Sequence, residues 1–137
     1  MNTRRVGFLL ASLAAVAIVS ITCFNVCVGQ QLFYWTISVS DARAMIQSSP
    51  NLLIIDVRTP EEYVQGHLKG AINILLSDLP LRIAALDRNR PILVYCKTGV
   101  RSAEASSFLV RAGFTHVYSM EGGITEWINS GYPTVSP

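Results

Sequence analysis

One thiol in this chain stands where a nucleophile would be placed. Cys96 follows the apolar run Pro91 to Tyr95 and precedes Lys97, Thr98, Gly99, Val100, Arg101 and Ser102, the start of a helix-forming stretch. A thiol in that position sits at a strand-to-helix turn. Backbone N–H groups at such a turn lack intrahelical partners, and the helix start carries roughly half a positive charge, so an anion there is stabilised. A thiolate is such an anion. Lys97 and Arg101 add full charges to the same loop, and a thiol beside cations at a helix start falls well below its free pKa of about 8.5.

The loop has the form C-x4-R, which is short. Phosphate-transferring cysteine enzymes close a wider ring of amides, with one more residue before the arginine. The tighter ring favours a smaller cargo, and a single sulfur atom carried on Cys96 as a persulfide fits. Its charge would be held by the amides of Lys97, Thr98, Gly99, Val100 and Arg101. The alternative, a strand-end cysteine that only packs as a small hydrophobe, accounts poorly for the Lys, Gly and Arg that follow it.

Four segments in series resemble the rhodanese (sulfurtransferase) family. They are Ile55-Asp56-Val57-Arg58-Thr59-Pro60-Glu61-Glu62-Tyr63, Gly66-His67-Leu68-Lys69-Gly70-Ala71-Ile72-Asn73-Ile74, the Cys96 loop, and Met120-Glu121-Gly122-Gly123-Ile124 through Trp127. They span most of Leu52 to Trp127. The resemblance implies a single-domain sulfurtransferase with a rhodanese-like three-layer α/β fold. The expected activity moves a sulfane sulfur from thiosulfate or a similar donor to a thiol or cyanide through a Cys96 persulfide, with no metal and no organic cofactor. Two alternatives remain open. One is a non-enzymatic rhodanese-like module that binds a partner protein, although such modules commonly lack the nucleophile. The other is a cysteine phosphatase or arsenate reductase, against which stand the short loop and Tyr95 rather than His before the thiol.

The first part of the chain differs from the rest. Arg4 and Arg5 precede an apolar stretch from Val6 to about Val28, and Gly29 offers a small residue before Gln30. Residues 1–29 therefore read as a signal peptide or a membrane anchor, the stretch being longer than the usual ~7–15-residue apolar region of export signals and close to the ~20 residues that span a bilayer. The positive start holds the N-terminus in the cytoplasm, so the domain is expected outside it, periplasmic or anchored to the membrane through residues 6–28. Arg4 and Arg5 also account for the whole formal charge of +2. The remainder is formally neutral, which excludes a nucleic-acid-binding field.

Cys23 and Cys27 belong to the apolar leader, so Cys96 is the only thiol of the domain and has no internal disulfide partner. An unpaired thiol in an oxidising compartment supports a chemical role. The expected partners are a small sulfur-donor anion and a thiol or protein acceptor.

The elements that must position Cys96 follow from patterning, over a domain placed at 36–133. A strand is expected near Thr36 to Val39, then a helix over Asp41 to Ser48 with Ser40 as its cap. Leu52 to Val57 reads as a strand buried on both faces, and Thr59-Pro60-Glu61-Glu62 opens a short helix with Thr59 as cap. Ala71 to Leu75 reads as a strand and Leu79 to Leu86 as a helix. Strand Pro91 to Tyr95 leads through the loop to helix Ser102 to Ala112, and strand His116 to Ser119 precedes helix Ile124 to Asn129. This alternation predicts a mostly parallel central sheet with its ligand at the C-terminal ends of the strands.

The supporting residues follow. Asp56 and Arg58, charged at the end of a buried strand, need partners; Arg58 is expected to pair with Glu61 or Glu62 and Asp56 with loop amides. His67 reads as a turn-fixing hydrogen-bonder and Trp127 as core or lid. Glu121 with its two glycines is expected to wall the pocket. Lys97 and Arg101 are expected to guide the donor anion, Arg101 by its planar fork.

Overall fold

Parallel strands buried on both faces need helices on either side, and the chain supplies them in alternation. The computed structural model describes residues 33–137, so the readings made for residues 1–29, including Cys23 and Cys27, lie outside the described residues. The element order is β1 (Trp35–Ile37), α1 (Val39–Ser48), β2 (Leu53–Asp56), α2 (Pro60–Gln65), β3 (Ile72–Asn73), α3 (Leu79–Arg82), β4 (Ile92–Tyr95), α4 (Val100–Arg111), β5 (Val117–Met120) and α5 (Gly123–Asn129). The strands form one sheet in the order β1-β5-β4-β2-β3, and every pairing within it is parallel.

β4 lies in the middle of that sheet, and its side chains alternate between the two faces. Ile92, Val94 and then Cys96 pack with Leu79 of α3 and with Ala105 and Leu109 of α4. Leu93 and Tyr95 pack on the other face with Val39 and Ala42 of α1 and Ile124 and Trp127 of α5. The result is a three-layer α/β domain with Cys96 at the C-terminal end of its central strand. All four β4 residues have no solvent exposure, and each fully buried aliphatic side chain stabilises by about 1.5–3 kcal/mol.

Local chemistry sets the ends of the elements. Thr59 Oγ1 accepts from Glu62 N at 3.2 Å while Glu62 Oε2 accepts from Thr59 N at 3.0 Å, a reciprocal cap on α2 with Pro60 in its first turn. α1 starts earlier than its pattern suggests. Ser38, extended at φ −68°, ψ 163°, accepts from Asp41 N at 3.1 Å and is the cap, so Ser40 falls inside the first turn. β3 is shorter than expected: only Ile72 and Asn73 pair, because β2, its single neighbour, ends at Asp56. The stretch 79–86 divides into α3 and a 3-10 turn at Ile83–Ala85.

Candidate active site

β4 delivers Cys96 into the loop, and Gly99 turns the loop into α4. Gly99 has φ 101°, a left-handed conformation open to glycine, and a Cβ there would stand 3.3 Å from Gly122 N. The turn brings Gly99 N–H to Cys96 Sγ at 3.1 Å. Sγ in turn donates to Ser102 Oγ at 3.7 Å. Ser102 Oγ donates to Gly99 O at 3.0 Å and accepts from Ser119 Oγ at 3.2 Å. One buried hydroxyl and one amide thus meet the sulfur, and a second hydroxyl, Ser119, backs the first.

The opposite side of the loop is fixed by α5. Cys96 O accepts from Ile124 N at 2.9 Å, and Lys97 O accepts from Thr125 N at 3.0 Å. With these carbonyls turned outward onto a helix start, the N–H groups that follow are left for the interior of the loop. The approach is so close that a Cβ on Gly123, at φ +59°, would fall 2.5 Å from Cys96 O and from Lys97 C and O. Only glycine fits there.

Cys96 itself is 1% exposed, its side chain lying beneath the loop with the apolar core on one side and the donors on the other. Burial pushes the thiol up, but the Ser102 amide and hydroxyl and the Gly99 and Thr98 amides outweigh it, and its pKa is lowered. A loop of donors around a partly desolvated sulfur is an anion-stabilising device.

The expected site residues fall into two groups. Lys97, Thr98, Gly99, Val100 and Arg101 form the loop; Lys97 and Thr98 are exposed, and Val100 is 74% exposed. Arg101 does not stand free: its Nη1 and Nη2 donate to Glu62 Oε2 and Oε1 at 2.7 and 2.9 Å, a two-pronged ion pair. Arg101 holds the Glu62 carboxyl at about 2, and the capping N–H of Thr59 also lowers it, against burial that raises it. Glu62 in turn raises Arg101, and the Cys96 sulfur adds to that.

Asp56 and Arg58 form a second, buried group. Arg58 pairs with Asp56 and not with Glu61 or Glu62: Nη2 stands 2.6 Å from Asp56 Oδ2, and Nε donates to the same carboxylate at 3.0 Å. The arginine folds back on the neighbour two residues away, since Glu62 is occupied by Thr59 and Arg101. Asp56 Oδ1 also accepts from the amide of Arg58 at 2.9 Å, the loop-amide contact expected of it. Arg58 Nη2 donates onward to Gly66 O at 2.7 Å, which ties the end of α2 to the strand ends. Tyr95 OH accepts from Leu68 N at 3.1 Å, and burial raises its pKa.

Glu121 is exposed, and its amide joins β5 to β1 by donating to Ile37 O at 2.9 Å. His67 Nδ1 lies 3.0 Å from Tyr63 O, and its backbone bridges Val135. Trp127 is core, with Nε1 donating to Pro133 O at 2.9 Å. Sequence reasoning missed Ser102 and Ser119 as parts of the sulfur site; Gly123, expected with Glu121 and Gly122 to wall the pocket, packs directly on the backbone of Cys96 and Lys97. Ser119 carried a signal, being a hydroxyl in a buried strand at the register position of Val94, two residues before the thiol.

Comparison with known proteins agrees with this geometry. The rhodanese-like domain profile matches residues 38–130. A sulfurtransferase of Allochromatium vinosum is 32% identical over 92 residues, covering 67% of this chain and 86% of that one. The thiosulfate sulfurtransferase GlpE of Stutzerimonas stutzeri is 38% identical over 82 residues, covering 60% and 74%. The solved structure of a rhodanese-related protein from Thermoplasma volcanium superposes with a TM-score of 0.69 at 36% identity, covering 76% of this chain and all of that one. With the profile spanning the three layers and the Cys96 loop together, the chain belongs to the rhodanese-like domain family.

Proposed function

We propose that this domain is a sulfurtransferase that carries a sulfane sulfur on Cys96, taking it from thiosulfate or a similar anion and giving it to a thiol or cyanide. The observation that carries this reading is the Gly99 amide on Cys96 Sγ at 3.1 Å, beside the two-serine relay and with the loop carbonyls tied to α5. The names of the Allochromatium and Stutzerimonas relatives support the same reading.

In the first half-reaction the Cys96 thiolate attacks the outer sulfur of thiosulfate. A Cys96 S–S bond forms, the sulfur–sulfur bond of thiosulfate breaks, and sulfite leaves with the electron pair. In the second, an acceptor thiolate or cyanide attacks the outer sulfur of the persulfide, and the Cys96 thiolate is restored. The loop amides stabilise the anionic sulfur in both states without reorganising, which is where electrostatic catalysis is strongest. Lys97 meets the incoming anion, and Arg101 contributes its field while held by Glu62.

The test is intact mass measurement after incubation with thiosulfate and desalting. One added sulfur on the wild-type protein, absent from Cys96→Ser, is the expected result; an unmodified but reduced and alkylatable Cys96 would overturn the reading. The same reading sets the domain outside the cytoplasmic membrane, on the support of Arg4 and Arg5 ahead of the apolar residues 6–28. A reporter that is active only after export, fused behind Pro137, is expected to be active in cells; an inactive fusion contradicts export.

A further inference from the structure

Every strand of the sheet runs the same way, so the loops that enter the strands gather at one end of the domain and Cys96 stands at the other. Along β4 the climb from Ile92 to Cys96 is about 13 Å, at ~3.3 Å per residue. The entering end carries side chains that the sulfur site does not use. Trp35, 38% exposed at the start of the edge strand β1, stacks on Tyr118 with ring centroids 5.1 Å apart and on His116 at 6.5 Å. Phe33, 51% exposed, meets Trp35 edge-on at 5.2 Å.

Arginines lie beside these rings. A recess of about 410 Å³ joins Phe33 and Tyr34 to Val110 and Arg111 at the end of α4. Arg88 Nε donates to Ala112 O at 3.1 Å, and Thr115 N donates to Arg88 O at 3.2 Å, which sets this second arginine between the end of α4 and the start of β5. Arg90, in the loop entering β4, donates through Nε to Asn51 O at 2.8 Å. None of the three has an ion-pair partner among the described residues. Asp87, the acid of that loop, accepts from Asn89 N at 2.9 Å. The chain beyond its leader is formally neutral, yet this end is locally cationic.

Half-exposed rings beside unpaired cations match the chemistry of an anionic bilayer surface, where Trp and Tyr settle at headgroup level and Arg is drawn to acidic lipids. Chain length points the same way. The apolar stretch ends near Val28, and the five residue steps from there to Phe33 reach at most about 18 Å when fully extended. A stretch set in the bilayer leaves the Phe33 end of the domain no further than that from the membrane surface.

We propose that this end, with Phe33 and Trp35 at its edge and Arg88 and Arg111 beside them, rests on the anionic surface of the membrane that residues 6–28 enter, so that the Cys96 end of the sheet faces away from the bilayer. The inference rests on the membrane-anchor reading of residues 6–28 and is independent of the sulfurtransferase reading.

The experiment reconstitutes the full chain, leader intact, in vesicles of phosphatidylcholine alone or mixed with phosphatidylglycerol. Flotation separates bound from free protein, and tryptophan emission is read with and without a lipid spin-labelled at its headgroup. Trp127 is 5% exposed and bonded to Pro133 O, so Trp35 carries the response and Trp35→Phe measures the background. The protein is expected to float with both vesicles, with Trp35 quenched more strongly in the anionic ones. Arg88→Gln and Arg111→Gln, both at exposed positions, are each expected to lower the ratio of docked to undocked domain about fivefold while leaving Trp127 emission unchanged. Floating protein whose Trp35 escapes quenching, or is quenched equally whatever the lipid charge and arginine content, overturns the docking and leaves the anchor reading intact. Trp35 shielded from aqueous iodide but unquenched by lipid, with crosslinks between chains, assigns the rings to a second copy and overturns the docking as well. Protein that does not float overturns the anchor reading and the docking with it.

Discussion

At the scale of single residues, the account depends on donors outweighing burial at one sulfur. Cys96 is almost fully enclosed, which alone would keep it a thiol, yet the Ser102 and Gly99 contacts lower its pKa. The midpoint of its alkylation rate against pH is therefore predicted below that of a free cysteine. Ser102→Ala removes the hydroxyl and orphans Ser119. It is predicted to move that midpoint upward and to slow persulfide formation by about tenfold or more, since a hydrogen bond to a charged group contributes about 1.5–3 kcal/mol. An unchanged midpoint in Ser102→Ala would show that the relay does not hold the anion.

At the scale of elements, the loop is positioned by two helices rather than by its own sequence. Gly123→Ala places a methyl 2.5 Å from backbone atoms of Cys96 and Lys97, and neither side can yield as a flexible side chain would. The substitution is predicted to destabilise the domain by about 2 kcal/mol or more and to reduce sulfur loading, measured by urea unfolding and by mass. Wild-type stability with normal loading contradicts the role of α5. The second support is Glu62, whose carboxyl is held at about 2 against an ordinary 4.5. A group depressed in the folded state gives stability that is complete above its unfolded value and is lost as pH falls toward the folded one. Wild-type protein should therefore lose more stability between about pH 5 and about pH 2 than Glu62→Gln, which at neutral pH should be weaker by about 1 kcal/mol, the scale of a partly exposed pair. Parallel acid profiles for the two proteins would contradict the pairing.

These supports also mark where the sequence stops being readable. Thr59-Pro60-Glu61-Glu62 announced its helix because capping is local, and the Cys96 loop announced itself for the same reason. The first helix was misplaced by two residues because Ser38 and Ser40 are equally good caps, and only the extended backbone at Ser38 decides between them. Arg58 was given the wrong acid because Glu62 was already committed to Arg101, 39 residues away. Ser119 reaches Ser102 only through strand register, and Gly123 reaches the backbone of Cys96 and Lys97 only through helix docking, which no local pattern encodes.

At the scale of the whole molecule, the reactive sulfur stands on the most protected strand of the sheet. β4 pairs with β2 on one side and β5 on the other and is wholly buried, whereas β1 and β3 are short edges with exposed residues. Amide exchange is predicted to be slowest in β4 and β2 and fastest in β1 and β3; comparable protection across the sheet would contradict this architecture. A rigid strand end would let the loop keep its donors aimed at the sulfur through both proposed half-reactions. The most direct test of that claim is a crystal structure of the thiosulfate-treated protein. The account predicts a second sulfur bonded to Cys96 Sγ and lying within about 3.5 Å of loop amides between residues 97 and 101. A Cys96 left unmodified, or an added sulfur turned into the apolar core away from those amides, would contradict it.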